Sequence, residues 1–201
     1  MSNSYLCENG YAAGGKDFLQ ARKCIRGSYR ILDGVTYIGT MAFCDCKGLT
    51  SVEIPESVTK IRIGIFSGCD NLRSVKVDAS NSVYDSRNNC NAIIESASNS
   101  LVQGCQTTEI PYGVTTIGEC AFLGCRGLTS IEIPESVTAI ERFAFDSCEN
   151  LEYVVVRSAV QYVDSSAFLG CKSLKSITIP AEAKDAFLNA GIDADLLVIE
   201  L

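Results

Sequence analysis

The chain has 201 residues, 47% of them hydrophobic, with 17 Lys and Arg against 24 Asp and Glu, a formal net charge of −7. That length and composition fit one domain with a continuous core, and not a disordered chain. The acidic balance, without a basic run, excludes a surface built for nucleic-acid or membrane phosphates, and no stretch is long and apolar enough to predict a transmembrane helix.

Residues 1–30 carry no full repeat, and they show no charged segment followed by an apolar one, so no signal peptide is expected within them. Cys7-Glu8-Asn9-Gly10 and Gly14-Gly15-Lys16 read as turns. Phe18-Leu19-Gln20-Ala21 and Cys24-Ile25 predict two short strands, a hairpin covering the open end of a repeat stack.

From Tyr29 onward a period governs the chain. Tyr29-Arg30-Ile31, Val52-Glu53-Ile54, Val75-Lys76-Val77, Thr108-Glu109-Ile110, Ile131-Glu132-Ile133, Val154-Val155-Val156 and Ile177-Thr178-Ile179 alternate apolar and outward residues, as strands with one buried face do. Their ends lie 23 residues apart except for one interval of 33. A fixed spacing in this range marks stacked repeats, and the seven strands are expected to form one parallel sheet in sequence order. Pro55, Pro111, Pro134 and Pro180 close four of them, because proline cannot donate to a ladder. Apolar pairs such as Val58/Ile61 and Val137/Ile140 predict a second, shorter strand on the opposite wall.

Ala-Phe-x-x-Cys-x-x-Leu then predicts a single helical turn in each rung, with Phe43, Phe66, Phe122, Phe145 and Phe168 stacked inside. Cys46, Cys69, Cys125, Cys148 and Cys171 occupy one repeat position. With no histidine, and only Cys44 and Cys46 closely spaced, they fit no zinc pattern and read as reduced, buried thiols.

The long rung lacks that turn. Tyr84-Asp85-Ser86-Arg87-Asn88-Asn89-Cys90-Asn91 leads into Ala92-Ile93-Ile94-Glu95 and Ser100-Leu101-Val102, which predict a β-hairpin around a Ser/Asn-rich turn. After Pro180 the period stops. Residues 181–190 read as a helix ended by Gly191, and Leu196-Leu197-Val198-Ile199 as a last strand.

These motifs resemble the BspA-like leucine-rich repeat family, also called the Treponema pallidum type. Leu128-Thr129-Ser130-Ile131-Glu132-Ile133-Pro134-Glu135-Ser136-Val137-Thr138-Ala139-Ile140 is similar to its unit almost throughout, as are residues 49–61. The resemblance implies a leucine-rich repeat solenoid, mainly β with short helical turns, a parallel sheet on one face, a hairpin in one long repeat and a small α/β C-terminal cap. It implies one domain over 1–201, with 1–28 as a cap or partial repeat, 29–180 as repeats and 181–201 as the C-terminal cap. It also implies a surface or secreted protein of a host-associated bacterium, linked to adhesion, with a protein or glycan partner, no cofactor and no membrane insertion. A monomer is expected.

Stacking predicts two outward columns on the strand face, with neighbours about 4.8 Å apart. One is Arg30, Glu53, Lys76, Glu109, Glu132, Val155 and Thr178; the other is Ser28, Ser51, Ser74, Thr107, Ser130, Tyr153 and Ser176. Candidate partner-binding residues are Arg30, Glu53, Lys76, Glu109, Glu132, Tyr153 and Val155 on these columns, with Tyr84 and Arg87 on the long rung. Asn, Ser and Tyr in that rung offer adaptable hydrogen bonds and a rigid aromatic contact. Catalysis has little to build on, since no histidine is present for a Ser-His or Cys-His pair. Glu53, Glu109 and Glu132 leave open a carbohydrate-active enzyme with paired carboxylates. A spacer that carries another domain is the third alternative. Asp193-Ala194-Asp195 is compatible with a metal but reads first as a turn.

Overall fold

Alternating β-branched residues need a neighbouring strand to satisfy their backbone and a neighbouring rung to cover their apolar side. In the computed structural model, which describes Asp17, Phe18, Gln20, Ala21 and residues 25–200, parallel stacking supplies both. In chain order the strands are β1 (Asp17–Phe18), β2 (Arg26–Arg30), β3 (Tyr37–Ile38), β4 (Gly48–Ile54), β5 (Lys60–Ile61), β6 (Ser74–Val77), β7 (Tyr84–Asp85) and β8 (Ile93–Glu95). There follow β9 (Ser100–Gln103), β10 (Thr116–Ile117), β11 (Ser130–Ile133), β12 (Ala139–Ile140), β13 (Tyr153–Val156), β14 (Tyr162–Val163), β15 (Ser176–Pro180) and β16 (Leu197–Glu200). A short helix α1 (Lys184–Asn189) lies between β15 and β16.

The wall of longer strands is not one sheet. β2, β4 and β6 form a first parallel set and β11, β13, β15 and β16 a second. The break falls at Thr108-Glu109-Ile110, which the period predicts as a strand and which is extended loop. The long rung causes it. Its extra residues run back beside β6, where Ser86 Oγ accepts from Val77 N at 2.9 Å and donates to the Ala92 carbonyl at 2.8 Å. Glu109 N then bonds the Cys90 carbonyl at 3.1 Å, and Thr108 Oγ1 the Asn91 carbonyl at 2.7 Å. The opposite wall holds β1, β3 and β5 in one parallel set. The predicted hairpin is present, with β7–β8 and β8–β9 antiparallel, and β9 begins the parallel run β9–β10–β12–β14.

Of the predicted N-terminal hairpin, the described residues of the first strand pair with the next rung. β1 lies parallel to β3, Ala21 N donates to the Ala42 carbonyl, and Phe18 stacks on Phe43 with ring centroids 4.8 Å apart. This is a partial rung, favoured because Phe18 extends the aromatic stack. The turns placed at residues 7–10 and 14–16, and the readings at Leu19 and Cys24, lie outside the described residues.

The Phe-x-x-Cys-x-x-Leu segment is a pair of tight turns rather than a helical turn: Cys125 N bonds the Phe122 carbonyl at 3.0 Å and Leu128 N the Cys125 carbonyl at 3.1 Å. Left-handed backbone interrupts any helix there, at Cys120 (φ 58°) and Gly124 (65°), and again at Phe143 (56°) and Ser147 (58°). Rungs are nonetheless tied together at this point, since Phe122 N reaches the Ala144 carbonyl at 2.7 Å and Phe145 N the Ala167 carbonyl at 2.8 Å.

The ring ladder is likewise divided. Phe18, Phe43 and Phe66 stack in one half; Phe122, Phe145 and Phe168 stack nearly parallel in the other, with Phe187 of α1 below them. Between the halves Gly104 takes the place of the phenylalanine, its N bonded to the Ala121 carbonyl at 2.9 Å. Phe122 fills the space: a Cβ on Gly104 would stand 2.2 Å from its ring. Accordingly the buried core forms two clusters, one on each side of this seam.

Buried thiols link successive turns. Cys69 Sγ donates to the Phe43 carbonyl at 3.0 Å, Cys148 to Phe122 at 3.1 Å and Cys171 to Phe145 at 3.2 Å. Cys69, Cys125, Cys148 and Cys171 are unpaired thiols; Cys46, Cys69 and Cys148 are buried, while Cys125 and Cys171 are partly exposed. Burial raises the Cys148 thiol well above its usual range and puts Cys125 and Cys171 at about 12.

The C-terminal cap forms as predicted. Gly191 (φ 78°) ends α1 with Gly191 N on the Leu188 carbonyl and Ile192 N on the Phe187 carbonyl, a Schellman motif. Asp193 is a turn residue, its carboxylate accepting from Asp195 N at 3.0 Å.

Candidate functional site

Register places the predicted columns as expected within each half. Ser28, Ser51 and Ser74 align, as do Arg30, Glu53 and Lys76; on the far side of the seam Ser130, Tyr153 and Ser176 align. The two halves carry different chemistry. In the first, Arg30 lies 3.1 Å from Asp33 and 3.6 Å from Glu53, all largely exposed, so these pairs contribute little stability. Arg30, Glu53 and Lys76, with Pro55 and Asp78, line a shallow depression. Glu109 is exposed on the extended loop, and lines a separate hollow with Glu132.

In the second half the column turns apolar. Glu132 is followed by Val155, then Thr178, then Val198, each in register with the next. Val198 is 49% exposed and Tyr153, in the adjoining column, 46%. Paired charges surround this patch: Arg157 bonds both Glu132 at 3.0 Å and Glu200 at 2.7 Å, which leaves one negative charge in excess, and Lys175 bonds Glu152 at 2.7 Å while lying 5.5 Å over the Tyr153 ring. An aromatic and apolar centre within a polar rim is the composition of an interaction hot spot. Tyr162 stands elsewhere, on the opposite wall, with its hydroxyl on Asp164 at 3.1 Å.

Sequence reasoning placed Val198 in a last strand but not on this face, and did not include Arg157 or Glu200. The last strand follows β15 by an irregular interval, so no period gives its register.

The long rung is chiefly occupied with itself. Tyr84, a candidate contact, is 5% exposed, and its hydroxyl accepts from Ile61 N at 3.0 Å; it closes the strand ladder and is not available at the surface. Arg87 is half-buried and grips Asp85 with two hydrogen bonds, of 2.8 and 2.7 Å, and a third reaches Asn99 at 2.9 Å. Burial alone would raise the Asp85 carboxyl, yet hydrogen bonds from Arg87 and Ser96 hold it below the usual range. Asn81 bonds the carbonyls of Pro55 and Val58 and the amides of Val83 and Tyr84. The Asn, Ser and Tyr content therefore reflects the hydrogen bonds needed to join an irregular rung to a regular stack.

Of the carboxylates considered for catalysis, Glu53 and Glu132 are ion-paired and stand in different sheets. Among the described residues no cluster of His, Cys, Asp or Glu has the form of a metal site, and no helix is long and apolar enough to cross a membrane.

With the stacked rungs established, the repeat can be compared with known families. The BspA type leucine-rich repeat region matches in six copies, over residues 22–103 and 92–192. The chain belongs to the BspA-type leucine-rich repeat family. Three solved structures share the fold. A leucine-rich repeat protein from Eubacterium ventriosum is 22% identical (TM-score 0.54), with 78% of this chain and 49% of that one covered. A leucine-rich cell surface protein from Faecalibacterium prausnitzii is 22% identical (TM-score 0.50), with 87% and 59% covered. A leucine-rich repeat protein from Bacteroides ovatus is 26% identical (TM-score 0.50), with 86% and 45% covered. This BspA-type chain thus spans about half the length of these relatives. No curated protein is similar enough to match it.

Proposed function

We propose that this BspA-type repeat chain is a non-catalytic interaction module that takes a protein partner on the strand face of β13, β15 and β16. The carrying observation is the change of the outward column from Glu and Lys to Val155, Thr178 and Val198 beside Tyr153, within a rim of mutually paired charges. Removing those apolar groups from water favours association, and each rim charge has an ion-pair partner, with Arg157 shared between Glu132 and Glu200. A rigid stack presents the patch with little ordering cost. The cell-surface description of the Faecalibacterium relative supports display outside the cell.

The test uses an array of extracellular host proteins, probed with the parent and with a Tyr153→Ala/Val198→Asp double variant. The double variant is expected to lose the parent's binding and keep its melting temperature. Interactions that survive both substitutions unchanged overturn this face as the site.

A further inference from the structure

The formal charge is unevenly divided. Residues 1–104 carry 11 Lys and Arg against 10 Asp and Glu, and residues 105–201 carry 6 against 14, so the excess of acid lies entirely beyond the seam. Within the near-neutral half, one depression has no carboxylate in its lining: Arg26, Lys47, Gly48, Thr50, Asn71 and Arg73. It lies where the chain enters β2, β4 and β6, away from the apolar patch.

The fold builds this basic hollow. Gly48 aligns with Arg26 across β2 and β4, and a Cβ on Gly48 would stand 2.6 Å from Arg26 Cγ and 2.9 Å from the Ile25 carbonyl. Only glycine lets the Arg26 side chain lie close over the next rung. Asn71 Nδ2 holds the Lys47 carbonyl at 2.7 Å and so sets the turn that carries Lys47.

The equivalent place in the second half shows what this hollow lacks. Arg73 N bonds the Thr50 carbonyl at 2.9 Å just as Lys175 N bonds the Glu152 carbonyl at 2.9 Å, so Thr50–Arg73 and Glu152–Lys175 are matching pairs of positions. Glu152 neutralises Lys175 at 2.7 Å, whereas Thr50 leaves Arg73 uncompensated. Among the described residues Arg26 and Arg73 have no ion pair, and Lys47 has one loose contact, 3.9 Å from Asp70, which also lies 3.6 Å from Arg126.

From this we propose that the Arg26–Lys47–Arg73 hollow binds a short sulfated oligosaccharide. Three cations on adjacent rungs suit two or three anionic groups, with the guanidinium forks of Arg26 and Arg73 able to take them bidentately. Thr50 and Asn71 offer hydroxyl and amide groups for sugar hydroxyls. The lining has no aliphatic or aromatic side chain, so it lacks the anchor pocket an acidic peptide would fill. The acid beyond the seam repels a long polyanion and limits the ligand to a short one.

The experiment titrates the full chain at low ionic strength with a heparin-derived hexasaccharide, its fully desulfated counterpart and inorganic sulfate. The parent is expected to bind the sulfated sugar, to ignore the desulfated one, and to weaken steeply with added salt. Arg73→Glu and Thr50→Glu, the latter installing the acid found at the matching position, each weaken binding about tenfold while melting as the parent does. Tyr153→Ala/Val198→Asp leaves it unchanged, which separates this site from the apolar patch. The proposal is overturned if the parent shows no binding, if the desulfated sugar or inorganic sulfate alone binds as well, if an acidic peptide outcompetes the sulfated sugar, or if both Glu variants bind as the parent does.

Discussion

Phe145→Ala measures whether the aromatic ladder holds the second half of the stack together. Phe145 is fully buried, with the Phe122 ring 5.0 Å away on one side and the Phe168 ring 5.1 Å away on the other, tilted by only 9° and 8°. Removing a buried phenyl costs about 3–5 kcal/mol. Two stacked partners at about 0.5–1.5 kcal/mol each place this site in the upper part of that range. Phe66 is the internal comparison. It is 6% exposed, has Phe43 as its ring partner at 5.6 Å, and faces the seam, where Gly104 leaves the neighbouring rung without a ring. Phe66→Ala should cost about 3 kcal/mol, at the lower end of the same range. A repeat array need not unfold in one step, so the loss is best read by native-state hydrogen exchange at the amides of Val154 and Ile177 for Phe145→Ala, and of Val52 and Val75 for Phe66→Ala. A loss below about 1 kcal/mol at Phe145, or a larger loss at Phe66 than at Phe145, refutes the ladder as the organising contact.

Gly104→Ala should lower stability by about 1–3 kcal/mol, because Phe145 at 5.0 Å blocks the retreat of the Phe122 ring from the new methyl; unchanged melting in calorimetry would show that the seam is loose. Ser147 sits at φ 58° and Gly170, its counterpart, at 73°, so Ser147→Gly should be neutral or stabilising and Gly170→Ser destabilising by about 1–2 kcal/mol, a sign pattern that thermal melts check directly. The thiols set an alkaline limit. Their folded pKa values lie above the unfolded value of about 8.5, so stability is complete below that pH and falls as pH rises toward 12, where the native thiols also ionise. Cys148→Ala should flatten this decline by about one proton in urea titrations between those limits, and an unaltered slope would mean the thiol is not shielded.

Much of this architecture is legible in the sequence because a period repeats the same contacts at every step. Once Val52, Glu53 and Ile54 form a strand, residues 23 positions later meet the same neighbours, so Ser28, Ser51 and Ser74 must align, and so must Ser130, Tyr153 and Ser176. The buried thiols, the hairpin and the Gly191 cap were legible for similar reasons, each resting on local chemistry. What tertiary structure alone decided lies where that translation fails. The long rung interrupts it, and the Thr108 hydroxyl on the Asn91 carbonyl and the Phe122 ring over Gly104 are contacts across the interruption that no periodic pattern encodes. They turn one predicted sheet into two and end one aromatic stack before the next begins, and Tyr84 is buried where its hydroxyl accepts from Ile61 N. The same holds at the C-terminus. Val198 reaches the face beside Thr178 because α1 sets the entry of the final strand, and that register determines where the apolar patch lies.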